Sequence, residues 1–192
     1  MAINQITKSR DGLLNQIKSE LSDIAIAVEI GTWRGDYALK MIDVLKPVAF
    51  FAVDPYRLFP GMVSAPGNEY SNQEDLDNLA NNVQQRLEKS GGKLIRELSC
   101  DASLEFADEG LDIVYVDGDH TYEGVKTDIE CWWPKIRPGG ILCGDDYVKS
   151  TTGKGFDYGV IEAVEEFVQQ NNLDLDVYTQ GQRQWLIRKP HE

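Results

Sequence analysis

Basic residues and cysteine are scarce in this chain of 192 residues, and each shortage excludes a class of partner or site. The 19 lysines and arginines face 32 acidic residues, which gives a formal net charge of -13 at pH 7. We expect no nucleic-acid partner, because phosphate binding needs a basic face that releases counterions. The same charge suits a small ligand that is cationic or is bridged by a metal ion.

Long apolar runs are also missing. The first residues, MAINQITKSRDG, lack the apolar core of a signal peptide, and no uninterrupted apolar run approaches membrane-spanning length. We therefore expect a cytoplasmic protein without a membrane partner.

The three cysteines, Cys100, Cys131 and Cys143, are odd in number and widely spaced. This spacing indicates neither a disulfide framework nor a zinc site. We expect three buried thiols in a reducing compartment.

Apolar patterning predicts strands that alternate with helices along the whole chain. An amphipathic helix is predicted within residues 1–24, and strands at 25–30, 49–53, 93–98, 113–116, 141–143, 175–178 and 184–188. Helices are predicted at 37–45, 122–133 and 160–170, and between residue 71 and Gly91-Gly92, where the apolar stripe covers 76–87. The alternation predicts a single α/β domain over residues 1–192. It would be a doubly wound, Rossmann-like, mostly parallel seven-stranded sheet with helices on both faces and a C-terminal β-hairpin.

Residues 56–72 interrupt this pattern with two prolines and two glycines. A loop of this length in a compact domain is typical of a lid or a binding loop, and a surface loop without function is the alternative. Ser71 and Glu74 have the spacing of a capping box, which predicts that a helix begins there.

A glycine motif lies between the predicted strand at 25–30 and the predicted helix at 37–45. Gly31 and Gly35 are spaced as G-x-x-x-G, which differs from the dinucleotide fingerprint, so pyrophosphate binding is poorly supported. Glycines at this position allow a tight turn and a close approach of a ligand to the backbone. Glu29 precedes them and favours a ligand that carries an amino group.

Two further acids follow the next strands. Asp54 can accept hydrogen bonds from a ribose diol, and Asp101 can accept one from an adenine amino group. Each has a structural alternative: Asp54 could cap a turn with Pro55, and Asp101 could cap a short helix that begins at Ala102. Acids after three successive strands together favour a nucleoside site.

Four aspartates form two clusters near the middle of the chain, Asp117 with Asp119 and Asp145 with Asp146. Each cluster directly follows an apolar, β-branched run that predicts a buried strand. Carboxylates gathered at strand ends repel one another, so a cation or a reaction is the usual reason for them. A turn with capping carboxylates is the alternative for the second cluster.

Five segments in order, VEIGTWRG, AVDPY, CDAS, YVDGDHTY and RPGGILCGDDY, resemble the motifs of class I S-adenosylmethionine-dependent methyltransferases. The likeness is to small-molecule O-methyltransferases of the macrocin O-methyltransferase type, with catechol O-methyltransferase a more distant relative. It covers about residues 28–147. The resemblance implies an enzyme that binds S-adenosyl-L-methionine through Glu29, Gly31, Thr32, Trp33, Gly35, Asp54, Asp101, Ala102 and Asp117. For Trp33 the alternative, which we prefer, is a place in the core.

The same resemblance implies a divalent cation held by Asp117, Asp145 and Asp146. Oxygen ligands favour Mg²⁺, which would chelate two neighbouring hydroxyls of the acceptor and lower the pKa of one of them. Asp119 is the candidate base for the hydroxyl proton. His120 is the second candidate, with a hydrogen-bonded residue at the helix start or a cofactor contact as its alternatives.

The sequence thus predicts Mg²⁺-assisted O-methylation of a vicinal hydroxyl on a small metabolite or glycoside. Metal-independent methylation of another small molecule is the alternative within enzymes, and a non-catalytic nucleoside-binding domain is the alternative outside them. The helix stripes that carry Trp132-Trp133 and Phe167-Val168 predict core or a subunit interface, so a homodimer is a candidate assembly.

Overall fold

The computed structural model describes residues 1–6, 10–59, 70–149, 158–180 and 183–191, and for residues 10 and 11 it describes the backbone alone. Its centre is an eight-stranded sheet in the order β1-β7-β8-β6-β5-β2-β3-β4. All neighbouring strands run parallel except β8, which is antiparallel to both β6 and β7. The predicted Rossmann-like α/β class and the closing antiparallel pair are confirmed, with eight strands in place of seven.

The strands are β1 Ile3–Ile6, β2 Ile26–Ile30, β3 Ala49–Val53, β4 Gly92–Ile95, β5 Leu111–Val116, β6 Ile136–Gly144, β7 Leu175–Tyr178 and β8 Gln184–Arg188. The helices are α1 Arg10–Glu20, α2 Asp36–Leu45, α3 Gln73–Lys89, α4 Ser99–Ser103, α5 Tyr122–Trp132 and α6 Val160–Gln170. Within the described ranges, no helix has both the length and the apolarity that crossing a membrane requires.

Helices cover both faces of the sheet because each carries one apolar stripe. The stripes of α1, α2 and α3 pack on one face around Ile17, Met41 and Val83. Those of α4, α5 and α6 pack on the other around Ile129 and Val164. Strand residues alternate between these two cores, as the two-residue period of a strand requires.

The N-terminal prediction needs correction. Residues 1–24 do not form one helix: Ile3–Ile6 is a strand that pairs in parallel with β7, and α1 begins at Arg10. The INQI segment is short and its side chains are mostly exposed, so the alternation that marks a half-buried strand is absent. Its strand conformation comes from backbone pairing with residues more than 170 positions away.

The start of α3 also differs from the prediction. The cap is Asn72, whose side chain accepts a hydrogen bond from the Asp75 backbone N–H at 3.0 Å, so Ser71 is not the capping residue. Ser71 instead donates its own backbone N–H to the Asp75 carboxylate at 2.9 Å. The return hydrogen bond therefore comes from the residue before the cap, and not from the cap itself. Most of the candidate lid at 56–72 lies outside the described residues.

The prediction of three free thiols is wrong for two of them. Cys100 in α4 and Cys131 in α5 form a disulfide, with Cα atoms 5.6 Å apart, while Cys143 is free and buried. The two short helices pack side by side on one face of the sheet. The two cysteines are 31 residues apart in the sequence, and this spacing does not predict that they are neighbours. Their proximity arises only when the chain crosses over between β4 and β5.

Candidate active site at the carboxyl edge of the sheet

The chain changes direction across the sheet between β2 and β5. From β2 it proceeds through β3 to β4 on one side, then crosses over to β5 and β6 on the other. Such a switch point opens a crevice beyond the carboxyl ends of the two central strands, where open α/β sheets bind their ligands. Both acidic clusters and the glycine motif lie at this edge.

Gly31 begins the loop after β2 in a left-handed conformation, with φ of 82°. A Cβ atom built there would collide with the carbonyl group of Asp117 and with Gly118. The loops after β2 and β5 therefore touch backbone to backbone, and Asp117 N–H donates to the carbonyl of Ile30 at 2.8 Å. The absence of a side chain at Gly31 therefore allows the backbone of Asp117 and Gly118 to pack closely against it.

Glu29 is buried at the end of β2, with 1% of its surface exposed. Its carboxylate accepts a hydrogen bond from the Thr32 hydroxyl at 2.7 Å. Gly35 closes the turn by donating its N–H to the carbonyl of Thr32 at 2.8 Å, and α2 begins directly after it. The glycine motif thus holds a buried acid beside the start of a helix.

Asp54 follows β3 and organises the neighbouring loops. One carboxylate oxygen accepts from the Trp33 backbone N–H and the other from the Tyr56 N–H, both at 2.9 Å. Burial raises the pKa of Asp54, although these two donors oppose the rise. The turn predicted as the structural alternative for Asp54 is present, because Asp54 accepts the Tyr56 N–H across Pro55. Each carboxylate oxygen can accept further hydrogen bonds, so ribose recognition stays a prediction.

Trp33 does not belong to the core, so that alternative is wrong. Its side chain is 40% exposed, its φ is 49°, and its ring meets Tyr70 edge to face at 5.1 Å between centroids. The Tyr56 hydroxyl donates to the Trp33 carbonyl. Residues 33, 56 and 70 thus form an aromatic rim beside Asp54. Tyr56 and Tyr70 were missed in the sequence because they border the irregular 56–72 segment.

Asp101 and Ala102 lie inside α4, which follows β4. The residue at the cap position is Leu98, so Asp101 does not cap this helix. Asp101 is exposed and Ala102 is buried. Sequence reasoning also missed Asp128 of α5, a buried acid that is hydrogen-bonded to Ser99 at the start of α4.

The second half of the site is a cluster of Asp117, His120 and Asp146. His120 Nε2 lies 3.4 Å from an Asp117 carboxylate oxygen and 3.2 Å from one of Asp146. One ligand atom from each of the three lies within 4.8 Å of the others. Burial lowers the pKa of His120, but the hydrogen bond with Asp117 and the charges of the nearby carboxylates outweigh it and raise the pKa overall.

The other two aspartates have local partners. Asp145 is buried, at 3% exposed, and one of its oxygens accepts from the Asp146 N–H at 2.9 Å. Asp146 has a φ of 54°, a left-handed conformation that an aspartate tolerates. Asp119 is exposed and accepts from the Thr121 N–H at 3.0 Å. Thr121 caps α5, so His120 does not start that helix.

The donor set fits a small divalent cation. Two carboxylates and one imidazole within a few ångströms are the groups that Mg²⁺, Mn²⁺ and similar ions accept, and the imidazole widens the choice toward first-row transition metals. The oxygen-only set predicted from the sequence differs, since the described cluster contains His120 and leaves out Asp145. The acids at Glu29 and Asp54 equally fit a ligand with an amino group and a ribose.

Comparison with known proteins supports the same interpretation. A family model described as a methyltransferase domain matches residues 28–147, from β2 to the segment after β6. The uncharacterized protein R132 of Acanthamoeba polyphaga mimivirus is 29% identical over 125 residues, which are 62% of this chain. The aligned part is 50% of R132, so the chain spans about half the length of this relative.

Two solved structures share the fold. An O-methyltransferase from Bacillus cereus in complex with S-adenosylhomocysteine has a TM-score of 0.63 at 14% identity, over 95% of this chain and 82% of that one. TomG from Streptomyces achromogenes, an O-methyltransferase of tomaymycin synthesis in complex with S-adenosylmethionine, has a TM-score of 0.63 at 15% identity, over 96% and 82%. The chain therefore belongs to the methyltransferase-domain family, with the fold of the class I S-adenosylmethionine-dependent methyltransferases.

Proposed function

We propose that this protein transfers the methyl group of S-adenosylmethionine to a hydroxyl oxygen of a small molecule. The observation that carries the proposal is the meeting of Asp117, His120 and Asp146 at the switch point of a methyltransferase fold. A binding domain without turnover would gain nothing from the repulsion between these acids. In the reaction a C–O bond forms as the S–C bond breaks, leaving S-adenosylhomocysteine and a methyl ether.

The nucleoside side of the site is proposed to lie along β2, β3 and β4. Glu29 and Asp54 would bind the amino group of the methionine portion and the ribose hydroxyls. The remaining proposed contacts are Gly31, Thr32, Trp33, Gly35, Asp101, Ala102 and Asp117. The support is positional: the acids of β2 and β3 and helix α4 all lie at the carboxyl edge of adjacent strands. S-Adenosylmethionine supplies the electrophilic methyl group.

The acceptor side is proposed to lie at β5 and β6. Asp117 and Asp146, with Asp145 as a predicted third ligand, would hold a divalent cation such as Mg²⁺ or Mn²⁺. A bound cation would supply Lewis acidity toward a coordinated hydroxyl. Asp145 fixes Asp146 through its hydrogen bond to the Asp146 N–H, so it would orient that carboxylate whether or not it is itself a ligand.

Removal of the hydroxyl proton is assigned to Asp119 or to His120. Two contacts favour His120: its Nε2 lies beside Asp117 and Asp146, and these carboxylates stabilise the imidazolium that would form. Asp119 is exposed and already accepts from the Thr121 N–H. The variants Asp119→Asn and His120→Gln distinguish them. The variant that lacks the true base should lose turnover and keep its affinity for S-adenosylhomocysteine.

The cofactor half of the proposal is tested by titration calorimetry with S-adenosylhomocysteine. We expect saturable binding, and Asp54→Ala should weaken it strongly. Absence of binding at millimolar ligand would refute the proposal. The acceptor is then sought by incubating the protein and S-adenosylmethionine with a panel of polyols, glycosides and catechols, with product detected by mass.

A metal-independent reaction is the second candidate, and one observation favours it. A protonated His120 lies between Asp117 and Asp146, and its single positive charge offsets the repulsion between the two carboxylates without an ion. Turnover measured with a chelator and with added Mg²⁺ or Mn²⁺ separates the two. Turnover that the chelator leaves unchanged supports the metal-free form, and turnover restored only by a cation supports the metal-assisted form.

A further inference from the structure

Tyr158 lies outside the motifs that identify the family, yet its ring contacts the centre of the site. The phenol ring is nearly parallel to the imidazole of His120, with 5.2 Å between centroids and 10° between planes. This is an offset stacked geometry, which aromatic pairs prefer over direct overlap. Tyr158 precedes α6, so a third part of the chain joins the loops after β5 and β6 at this cluster.

The backbone next to Tyr158 is fitted to the same loop. Gly159 donates its N–H to the carbonyl of His120 at 2.9 Å. A Cβ atom at Gly159 would lie 2.5 Å from the Cα of Tyr122, closer than real contacts allow. The main chain therefore fixes the position of Tyr158 relative to His120.

His120 is thus bounded on two sides that constrain different degrees of freedom. The carboxylates of Asp117 and Asp146 attract one edge of its ring, where Nε2 lies. Attraction at an edge leaves the ring free to tilt about the line to the acids. The flat ring of Tyr158 limits that tilt, because only one orientation of the imidazole plane keeps the stack.

We infer that Tyr158 is a positioning residue of the methyl-transfer site, whose ring holds the His120 imidazole with Nε2 toward Asp117 and Asp146. This inference rests on the proposed function for its effect on turnover, but the contact itself does not. It requires the aromatic ring of Tyr158 and makes the hydroxyl dispensable. Phenylalanine at position 158 should therefore preserve the function, whereas leucine, which is apolar but has no ring, should not.

The direct test is the NMR spectrum of the histidine side chain. The chain has two histidines, so the variant His191→Gln leaves His120 as the single imidazole. In that background Tyr158→Leu removes the ring current acting on His120 and should shift its Hδ2 and Hε1 signals. Tyr158→Phe should leave both signals close to their original positions. Unchanged signals in folded Tyr158→Leu would overturn the inference.

Two further variants separate the contact from a general disturbance. Phe167→Leu removes the edge-to-face pair of Phe167 with Trp133, 5.1 Å between centroids, from the helix that Tyr158 precedes. It should leave the His120 signals in place. Gly159→Ala forces the backbone away from Tyr122 and should move the His120 signals as Tyr158→Leu does. A shift in Phe167→Leu of the same size would count against a specific stack.

Binding and turnover complete the test. Affinity for S-adenosylhomocysteine should stay within about two-fold in Tyr158→Leu, since the ring stacks on His120, on the proposed acceptor side. On an acceptor found by the panel, kcat should fall about ten-fold or more, as for other residues that orient a reactive group, and Tyr158→Phe should restore it. Equal loss in both variants would overturn the inference. Failure of the unmodified protein to bind S-adenosylhomocysteine would instead refute the proposed function, with the NMR result unaffected.

Discussion

Strand β5 carries an aspartate at each end, and the two have opposite surroundings. Asp112, near its start, is 4% exposed and accepts from the backbone N–H groups of Ala25 and Ile26 at 2.8 Å each. Arg137 adds a charged donor at 2.7 Å. Asp117, just past the other end, lies in the same small cluster as the carboxylate of Asp146, with His120 beside both.

The difference shows that burial alone does not mark a functional acid. Asp112 is more buried than Asp117, but its carboxylate oxygens accept three hydrogen bonds that tie the start of β2 and Arg137 to β5. At the far end, carboxylates are brought together, which opposes folding and favours whatever cation or proton enters. We expect stability to depend on the first aspartate and turnover on the second.

The largest expected effect is on turnover at the carboxyl edge. Asp117→Asn should lower kcat/KM about 10³-fold, which corresponds to about 4 kcal/mol of transition-state stabilisation. The free energy of unfolding should change by less than about 1 kcal/mol, because the ion pair is partly exposed. Kinetics and urea unfolding measure the two quantities. A fall in turnover that merely follows a loss of folded protein would contradict the contrast.

The next effect concerns the disulfide beside α4. Reducing Cys100–Cys131, or replacing Cys131 by serine, should lower the free energy of unfolding by about 3 to 4 kcal/mol, from the entropy of a loop that closes across 31 residues. Denaturant unfolding with and without a dithiol reductant measures it. The Cys143→Ser variant is the control, and its unfolding should respond to the reductant as the unmodified protein does. A midpoint insensitive to reductant would contradict the prediction.

At the amino edge, Asp112→Ala should cost about 3 kcal/mol of stability, because it leaves two backbone N–H groups and one guanidinium without their acceptor. Turnover per folded molecule should stay near that of the unmodified protein. Asp108→Ala is the matched control, since its ion pair with Lys135 is exposed on the acid side and should contribute little. Equal costs for the two variants would contradict the comparison.

The smallest expected effect is a pH dependence of stability that comes from Asp128, a buried acid of α5. Burial raises the pKa of Asp128 to about 6 from 3.8. Because the folded pKa lies above the unfolded one, the contribution of Asp128 to stability is fully present below about pH 4 and is lost as the pH rises through 6. The loss at pH 7 is about 2 to 3 kcal/mol. Asp128→Asn should flatten this part of the stability curve, measured by denaturant unfolding from pH 4 to 7. An unchanged slope would refute the assignment.

The sequence predicted those elements whose limits are set locally. Residues 49–53 match β3, and residues 160–170 match α6. Pro47 and Pro55 bracket the strand, and the period of apolar residues defines the helix. Strand β6 was predicted too short, because Pro138-Gly139-Gly140 has the composition of a turn while its backbone continues in the sheet through an irregular register with β5.

The site was predicted as far as strand order allows. Two acidic clusters after neighbouring strands of a parallel sheet must meet at one edge, so Asp117 and Asp146 were expected together. The place of His120 between them and the stack of Tyr158 on its ring depend on side-chain orientation and on distant backbone. Neither leaves a periodic trace in the sequence. The Cys100–Cys131 bond escaped prediction for the same reason.

The backbone contact at Gly31 has a practical consequence for anyone who wants a catalytically dead version of this protein. Replacing Gly31 would be one obvious way to make it. Here the added methyl group would push the loop after β2, next to Glu29, away from the loop that carries Asp117. Such a knockout would damage both halves of the crevice at once, so a single carboxylate substitution is the cleaner reagent.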